Sequence, residues 1–352
     1  MNECMGDLRL HRWSRAVAVP FFAAAAAAAK SPPNRARFPL VPHAAARLNS
    51  DLQVAMAEKL ETEQEELNSF LLSRARVVND ALYEALPPRD AELMSRGKRI
   101  RPVLCLAACE LVGGSPDVAL PAACAVEVIH KMSIRHGSRL HHRGIEADPT
   151  PLPYHCQSYL GFALENLVSA TKGVEPEKLT RVVFELCRAS GTSGIVSGEF
   201  MDMVATTATQ REPCMVDIES LNCVHLRKTA ALLEGSVVSG AILGGGSEAA
   251  VERLRRYARY ISLLFEVVVD ILDHYHDHKH PHDDDNDDGD DDALMMYERR
   301  ATATYTDLLG LEGSKMLAQQ LHQETKHQLD MFDAFKASPL YKLADYLLQL
   351  TQ

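Results

Sequence analysis

Two carboxylates, Asp270 and Asp273, stand three residues apart in the stretch ISLLFEVVVDILD, residues 261–273. Ile261, Leu264, Phe265, Val268 and Leu272 recur there at helical spacing, which predicts one buried helix. Carboxylates at the end of an apolar helix are costly unless paired, and their usual partner is a cation or a metal. A second group with chemical potential is Arg96-Gly97-Lys98-Arg99-Ile100-Arg101-Pro102. Cations beside a glycine, just ahead of an apolar helix, make a cradle for a diphosphate or a solvated basic turn. Cys105 and Cys109 follow, four apart and therefore on one helix face. They are two small core residues or a face that admits another helix. A zinc site lacks further ligands there, and a disulfide within one helical turn would be strained. Beyond Asp273, alternating His and Asp run from His274 to His282, and eight aspartates fall between 283 and 292. That run is a solvated loop or a weak metal site.

The elements that must position these groups are helices. Ser50 to Leu86 is helical and mixed-charge, with Ser50 as a plausible N-cap and Pro87-Pro88 closing the segment. Later apolar segments are long and helical in period, and none shows the alternation of strands. The fold class is all-α, a single bundle of long helices. The chain has 352 residues, is 46% hydrophobic and can bury a core. A net charge of −11, much of it in the aspartate run, gives no reason to expect nucleic-acid binding. Eight irregularly spaced cysteines do not form a disulfide framework. Between Asp7 and Asp51 there is no acidic residue, while Arg9, Arg12, Arg15, Lys30, Arg35, Arg37 and Arg47 flank an alanine run from Ala23 to Ala29. Such a leader has the composition of an organelle transit peptide or of a disordered arm. No transmembrane segment is expected, since Val17 to Ala29 is too short to span a bilayer. The domain division is residues 1–49 as leader and 50–352 as helical domain, with a disordered loop at about 274–292.

Several of these stretches resemble motifs of the trans-isoprenyl diphosphate synthases. Phe265-Glu266-Val267-Val268-Val269-Asp270-Ile271-Leu272-Asp273 is similar to the second aspartate-rich motif, FQxxDDxxD, with Glu266 for glutamine and Val269 for the first aspartate. Gly97-Lys98-Arg99-Ile100-Arg101-Pro102 resembles the isopentenyl diphosphate site, which assigns that diphosphate to Lys98 and Arg101. His130, in AACAVEVIHKMSI, falls at a further isopentenyl diphosphate contact. Leu226-Arg227-Lys228-Thr229 is similar to the segment whose lysine and threonine face the allylic diphosphate. Ser193 to Asp202 resembles the glycine-rich helix G-x-x-x-G-Q-x-x-D, with Glu199 for glutamine. Gly161-Phe162-Ala163 stands in place of Gly-Asp-Ala, and no lysine precedes Thr304-Tyr305. Where active members carry DDxxxxD, this chain has Arg135, His136, Arg139, His141, His142 and Arg143, with no aspartate before Asp148.

The groups that the resemblance assigns to direct diphosphate contact are retained: Lys98, Arg101, His130, Lys228 and Thr229. Those that bind it through magnesium are mostly gone, which leaves Asp270 and Asp273 as a degenerate metal site. Magnesium bridges and assists departure of an allylic diphosphate, and arginines cannot replace that Lewis acid. The resemblance therefore implies a non-catalytic chain, similar to the plastid small subunits that bind a catalytic geranylgeranyl diphosphate synthase as a heterodimer. Such a subunit alters activity or product chain length, toward geranyl diphosphate or channelled geranylgeranyl diphosphate, and the partner holds the Mg2+. CxxxC at Cys105 and Cys109 resembles the partner-contacting motif of those subunits. The location implied is the plastid, in the stroma or on a membrane through partners. Two alternatives stand beside this: a weakly active short-chain prenyltransferase, and a metal-binding protein acting through the His/Asp-rich loop.

Overall fold

A computed structural model describes residues 43–86, 97–141, 152–211, 217–279 and 303–351. Side chains are described within these spans except at 43–60, 135–141, 152–157, 206–211 and 277–279. Among the described residues every regular element is a helix. They are α1 (His43–Ala85), α2 (Ile100–Leu111), α3 (Pro116–His141), α4 (Leu152–Ala170), α5 (Pro176–Ser190), α6 (Ile195–Arg211), α7 (Ile218–His225), a π-helical turn (Leu226–Ala230), α8 (Ala231–Leu243), α9 (Glu248–Lys279), α10 (Tyr305–His327) and α11 (Ala334–Gln349). The all-α expectation holds. Two units are distinguishable, Met1–Ser69 and Phe70–Gln352. The first unit's described part is the opening of α1. The second holds every other helix and the residues discussed below.

The centre of the second unit is α8. From Leu232 to Leu243 every residue of this helix is buried, as expected of a helix enclosed on all sides. It packs against α2, α3, α5 and α9. Gly240 is what lets α2 close on it: a Cβ there would lie 1.9 Å from the Cys105 carbonyl oxygen. Glu234 is the one charged residue of α8. Arg188 of α5 and Arg255 and Arg259 of α9 all bond its carboxylate. Arg255 also bonds the buried Glu185 at 2.7 Å, so three helices share one ion cage. These arginines hold the Glu234 carboxyl below its ordinary value although burial pushes it up.

Three local expectations need correction. Helix α1 begins at His43, so Ser50 is interior and not an N-cap; the alanines at 44–46 extend the helix outward. Helix α9 runs to Lys279, so Asp270 and Asp273 lie within it and residues 274–279 are helical, not part of a disordered loop. The extension is supported by Tyr275, whose ring lies under the Lys315 ammonium of α10, 5.5 Å from its centroid. On α9 the buried stripe is Leu254, Tyr257, Ile261, Leu264, Val268 and Ile271, whereas Phe265 and Leu272 face outward. The leader to residue 42, His142, Arg143 and the aspartate run at 283–292 lie outside the described residues, as do the side chains of Arg135, His136, Arg139 and His141.

Among the described residues, no helix is long and apolar enough to cross a membrane.

Candidate active site

Helix α6 and the π-helical turn after α7 form one wall of the site. Gly198 makes their approach possible, because a Cβ there would sit 2.3 Å from the Lys228 backbone nitrogen. The widened turn at Leu226–Ala230 carries Lys228 and Thr229. Such single π turns recur at functional sites because they re-aim side chains without ending the helix. Helix α9 supplies Glu266 and Asp270, and the start of α10 supplies Tyr305. These elements enclose a cavity of about 70 Å³ lined by Asp202, His225, Lys228, Thr229, Glu266, Asp270 and Thr304, among others. The structure thus brings together Lys228, Thr229 and Asp270, which the sequence reading assigned separately to diphosphate and metal.

Each charged group in this cavity has a partner within the chain. The Lys228 ammonium donates to Asp202 Oδ2 at 2.7 Å and lies 3.5 Å from Glu199 Oε2. His225 Nδ1 lies 3.3 Å from Glu266 Oε2. Asp270 is buried, and its Oδ2 accepts the backbone N–H of Tyr305 at 2.8 Å. Tyr305 is itself fully buried, donates its hydroxyl to Asn222 Oδ1 at 2.5 Å and stacks on His225. Asp270 therefore serves as an acceptor at the start of α10, where a carboxylate also favours the helix dipole.

The retained isopentenyl-type residues occupy a second place. Lys98 is exposed. Arg99 turns inward, donating to Glu127 Oε1 at 2.5 Å and to Asn79 Oδ1 at 2.8 Å. Arg101 Nη1 donates to His130 Nε2 at 3.1 Å, which makes that nitrogen the acceptor of a neutral imidazole. Burial, with Arg101, Lys131 and Arg99 nearby, holds His130 well below its ordinary value, so it remains neutral. Burial also pulls the Arg101 guanidinium down, opposed by the charges of Glu127 and Glu266. Arg101 and His130 thus lie side by side.

Cys105 and Cys109 are placed otherwise than a direct partner contact requires. Both are fully buried in this chain, against α8, where Gly240 and Gly244 meet their backbone. The Cys109 thiol lies 3.1 Å from the Ser115 carbonyl oxygen, and burial raises it to about 11. No surface of either thiol is left for another chain. Cys105, Cys109, Cys124, Cys187 and Cys223 are free thiols.

The oxygens that would hold the magnesium implied by the resemblance are few and already engaged. Val269 offers no oxygen, Asp270 spends one oxygen on a backbone amide, and Asp202 and Glu199 are turned to Lys228. Among the described residues no cluster of three or more acidic, His or Cys side chains is arranged to hold a metal ion. The donor set among the described residues does not fit a two- or three-ion magnesium cluster, which needs several converging carboxylates.

Comparison with known proteins decides the family. The chain is 40% identical over 316 residues to the chloroplastic geranylgeranyl pyrophosphate synthase of Capsicum annuum, covering 82% of this chain and 81% of that protein. It belongs to the polyprenyl synthetase family. The family's own sequence pattern, polyprenyl synthetase, matches residues 162–328. A second relative is the heterodimeric geranylgeranyl pyrophosphate synthase large subunit 1, chloroplastic, of Arabidopsis thaliana, 40% identical over 303 residues, or 79% of this chain and 78% of that one. The fold matches the geranylgeranyl pyrophosphate synthetase of the archaeon Geoglobus acetivorans with a TM-score of 0.63 at 23% identity, covering 80% of this chain and 98% of that one. A synthase from Zymomonas mobilis matches with a TM-score of 0.64 at 24% identity, over 82% of this chain and 99% of that one. The trans-prenyltransferase helical fold expected from the motifs is the observed fold.

Several site features were not legible in the sequence. The partners of Lys228, Asp270 and Arg99 come from positions 26, 35 and 28 residues away, a range at which spacing says nothing. One signal was present. Gly240 and Gly244 are four apart, as are Cys105 and Cys109, and matched small-residue spacing marks two helices in close contact.

Proposed function

We propose that this chain is a non-catalytic subunit that binds a catalytic geranylgeranyl pyrophosphate synthase and alters its activity or product chain length. The observation that carries this reading is the internal pairing of the cavity. Lys228 is engaged by Asp202 and Glu199, and Asp270 by the Tyr305 amide, where a working site would hold magnesium and an allylic diphosphate. In the first motif, Arg135, His136 and Arg139 supply no carboxylate oxygen. Magnesium, on this reading, is held by the catalytic partner.

Helix α6 supports an association role. Its inward face carries Gly198 and the buried Asp202, whereas Val196, Phe200 and Val204, spaced by four, point outward. Phe200 is 66% exposed. A helix with its acid inside and its phenylalanine outside presents an uncharged apolar stripe of the composition found at interface cores. The contact with the partner is made there and not through Cys105 and Cys109. The heterodimeric large subunit among its relatives supplies the kind of partner, and its chloroplastic relatives supply the compartment, the plastid. Arg101 and His130 are retained for isopentenyl diphosphate or for the stability of α2 and α3.

The same Arg101–His130 pair favours a second reading, a weakly active short-chain prenyltransferase. The experiment that separates the two is chain-length analysis of products from isopentenyl and allylic diphosphates with magnesium. The protein is assayed alone and mixed with a catalytic geranylgeranyl pyrophosphate synthase. Silence alone with a shifted product ratio or rate in the mixture supports the subunit reading. Turnover by the isolated chain overturns it.

A further inference from the structure

We propose that Glu199 and Glu266 are specificity-determining residues that close the Lys228 cavity of this chain to diphosphates. The inference rests on the non-catalytic reading and gives it a second cause besides the missing magnesium ligands. Both residues stand where the motifs they resemble carry glutamine. Glu199 lies beside the Lys228 ammonium, and Glu266 lines the same cavity. Glu199 Oε2 is 3.5 Å from the Lys228 ammonium, which Asp202 already neutralises at 2.7 Å. Two carboxylates on one ammonium leave the place with net negative charge before any ligand arrives.

Glu266 is buried on the adjoining face of α9, 3.3 Å from His225 and lining the cavity. An incoming diphosphate must therefore displace a carboxylate from Lys228 or sit against one. Among the described residues that line the cavity, Lys228 is the one lysine or arginine. Glutamine has nearly the same shape as glutamate, and its amide would donate to a phosphate oxygen where the carboxylate repels it.

The test measures binding of inorganic pyrophosphate to the full chain by isothermal titration calorimetry, with and without magnesium. The proteins are the unmodified chain, Glu199→Gln, Glu266→Gln and the double variant. Each single change is expected to tighten binding at least about tenfold, and the double at least about a hundredfold. Adding Lys228→Gln to Glu199→Gln should abolish the gain, which a merely structural role of Glu199 would not predict. Should Glu199→Gln fail to fold, Glu266→Gln carries the same measurement at the same cavity. Equal affinities across folded variants, or an unmodified chain that binds pyrophosphate as tightly as the variants, would overturn the proposal. Turnover by the unmodified chain would overturn the non-catalytic reading while leaving this affinity ratio readable.

Discussion

Replacing Arg99 by methionine isolates what the basic stretch 96–102 does. Its guanidinium donates to Glu127 at 2.5 Å and to Asn79 at 2.8 Å, and the two charged side chains are 0% and 3% exposed. Removing one partner of such a pair strands a buried charge, which costs about 3–5 kcal/mol. For a chain of this size roughly 2–3 °C of melting temperature follows each kcal/mol, so Arg99→Met should melt about 6–15 °C lower. The backbone adds nothing to the difference, since methionine at φ 55° is as strained there as arginine. Glu127→Leu should fall similarly. The double variant Arg99→Met with Glu127→Leu should recover much of the loss, because an apolar pair needs no compensation. Exposed Lys98 is the control, and Lys98→Ala should change stability by no more than about 0.5 kcal/mol. Thermal and urea unfolding followed by circular dichroism reads all four. An Arg99→Met protein melting within 2 °C of the parent would refute the assignment of Arg99 as a structural residue.

Other consequences follow from the same geometry. Gly240→Ala drives a methyl onto the Cys105 carbonyl at 1.9 Å, and should cost about 3 kcal/mol or more in urea unfolding. Phe200→Asp should leave the isolated chain's stability within about 0.5 kcal/mol and weaken partner association at least about tenfold, as read by sedimentation. His130 is neutral in the fold because its affinity for a proton is depressed. The unfolded chain binds that proton first, so the contribution is full above about pH 6.5 and is lost as pH falls below it. The drop in melting temperature between pH 7.5 and 5.5 should therefore be smaller in His130→Gln than in the parent.

The helical fold was legible because its signal is local. Apolar residues at 254, 257, 261, 264, 268 and 271 carry a period that no strand could share. Two of the residues first assigned to that stripe, Phe265 and Leu272, fall outside it, since a period read over 13 residues leaves the phase loose. The site was half legible. Lys228, Thr229 and Asp270 were recognised as chemical groups, and they meet in one cavity. What Lys228 and Asp270 do there was not legible, because it depends on pairings with Asp202 and Tyr305 that only the closed bundle creates. The cysteine pair shows the reverse case. Its spacing left core and partner interface open, and the helix that packs there is the chain's own α8.

The central claim is that the bundle is kept while the chemistry is lost. It is tested most directly by single-turnover analysis of the isolated chain at high enzyme concentration, with isopentenyl and dimethylallyl diphosphates and saturating magnesium. No condensation product is expected at any magnesium concentration, from a protein whose circular dichroism and melting show it folded. A prenyl diphosphate product formed in proportion to enzyme, and absent when magnesium is chelated, would contradict it.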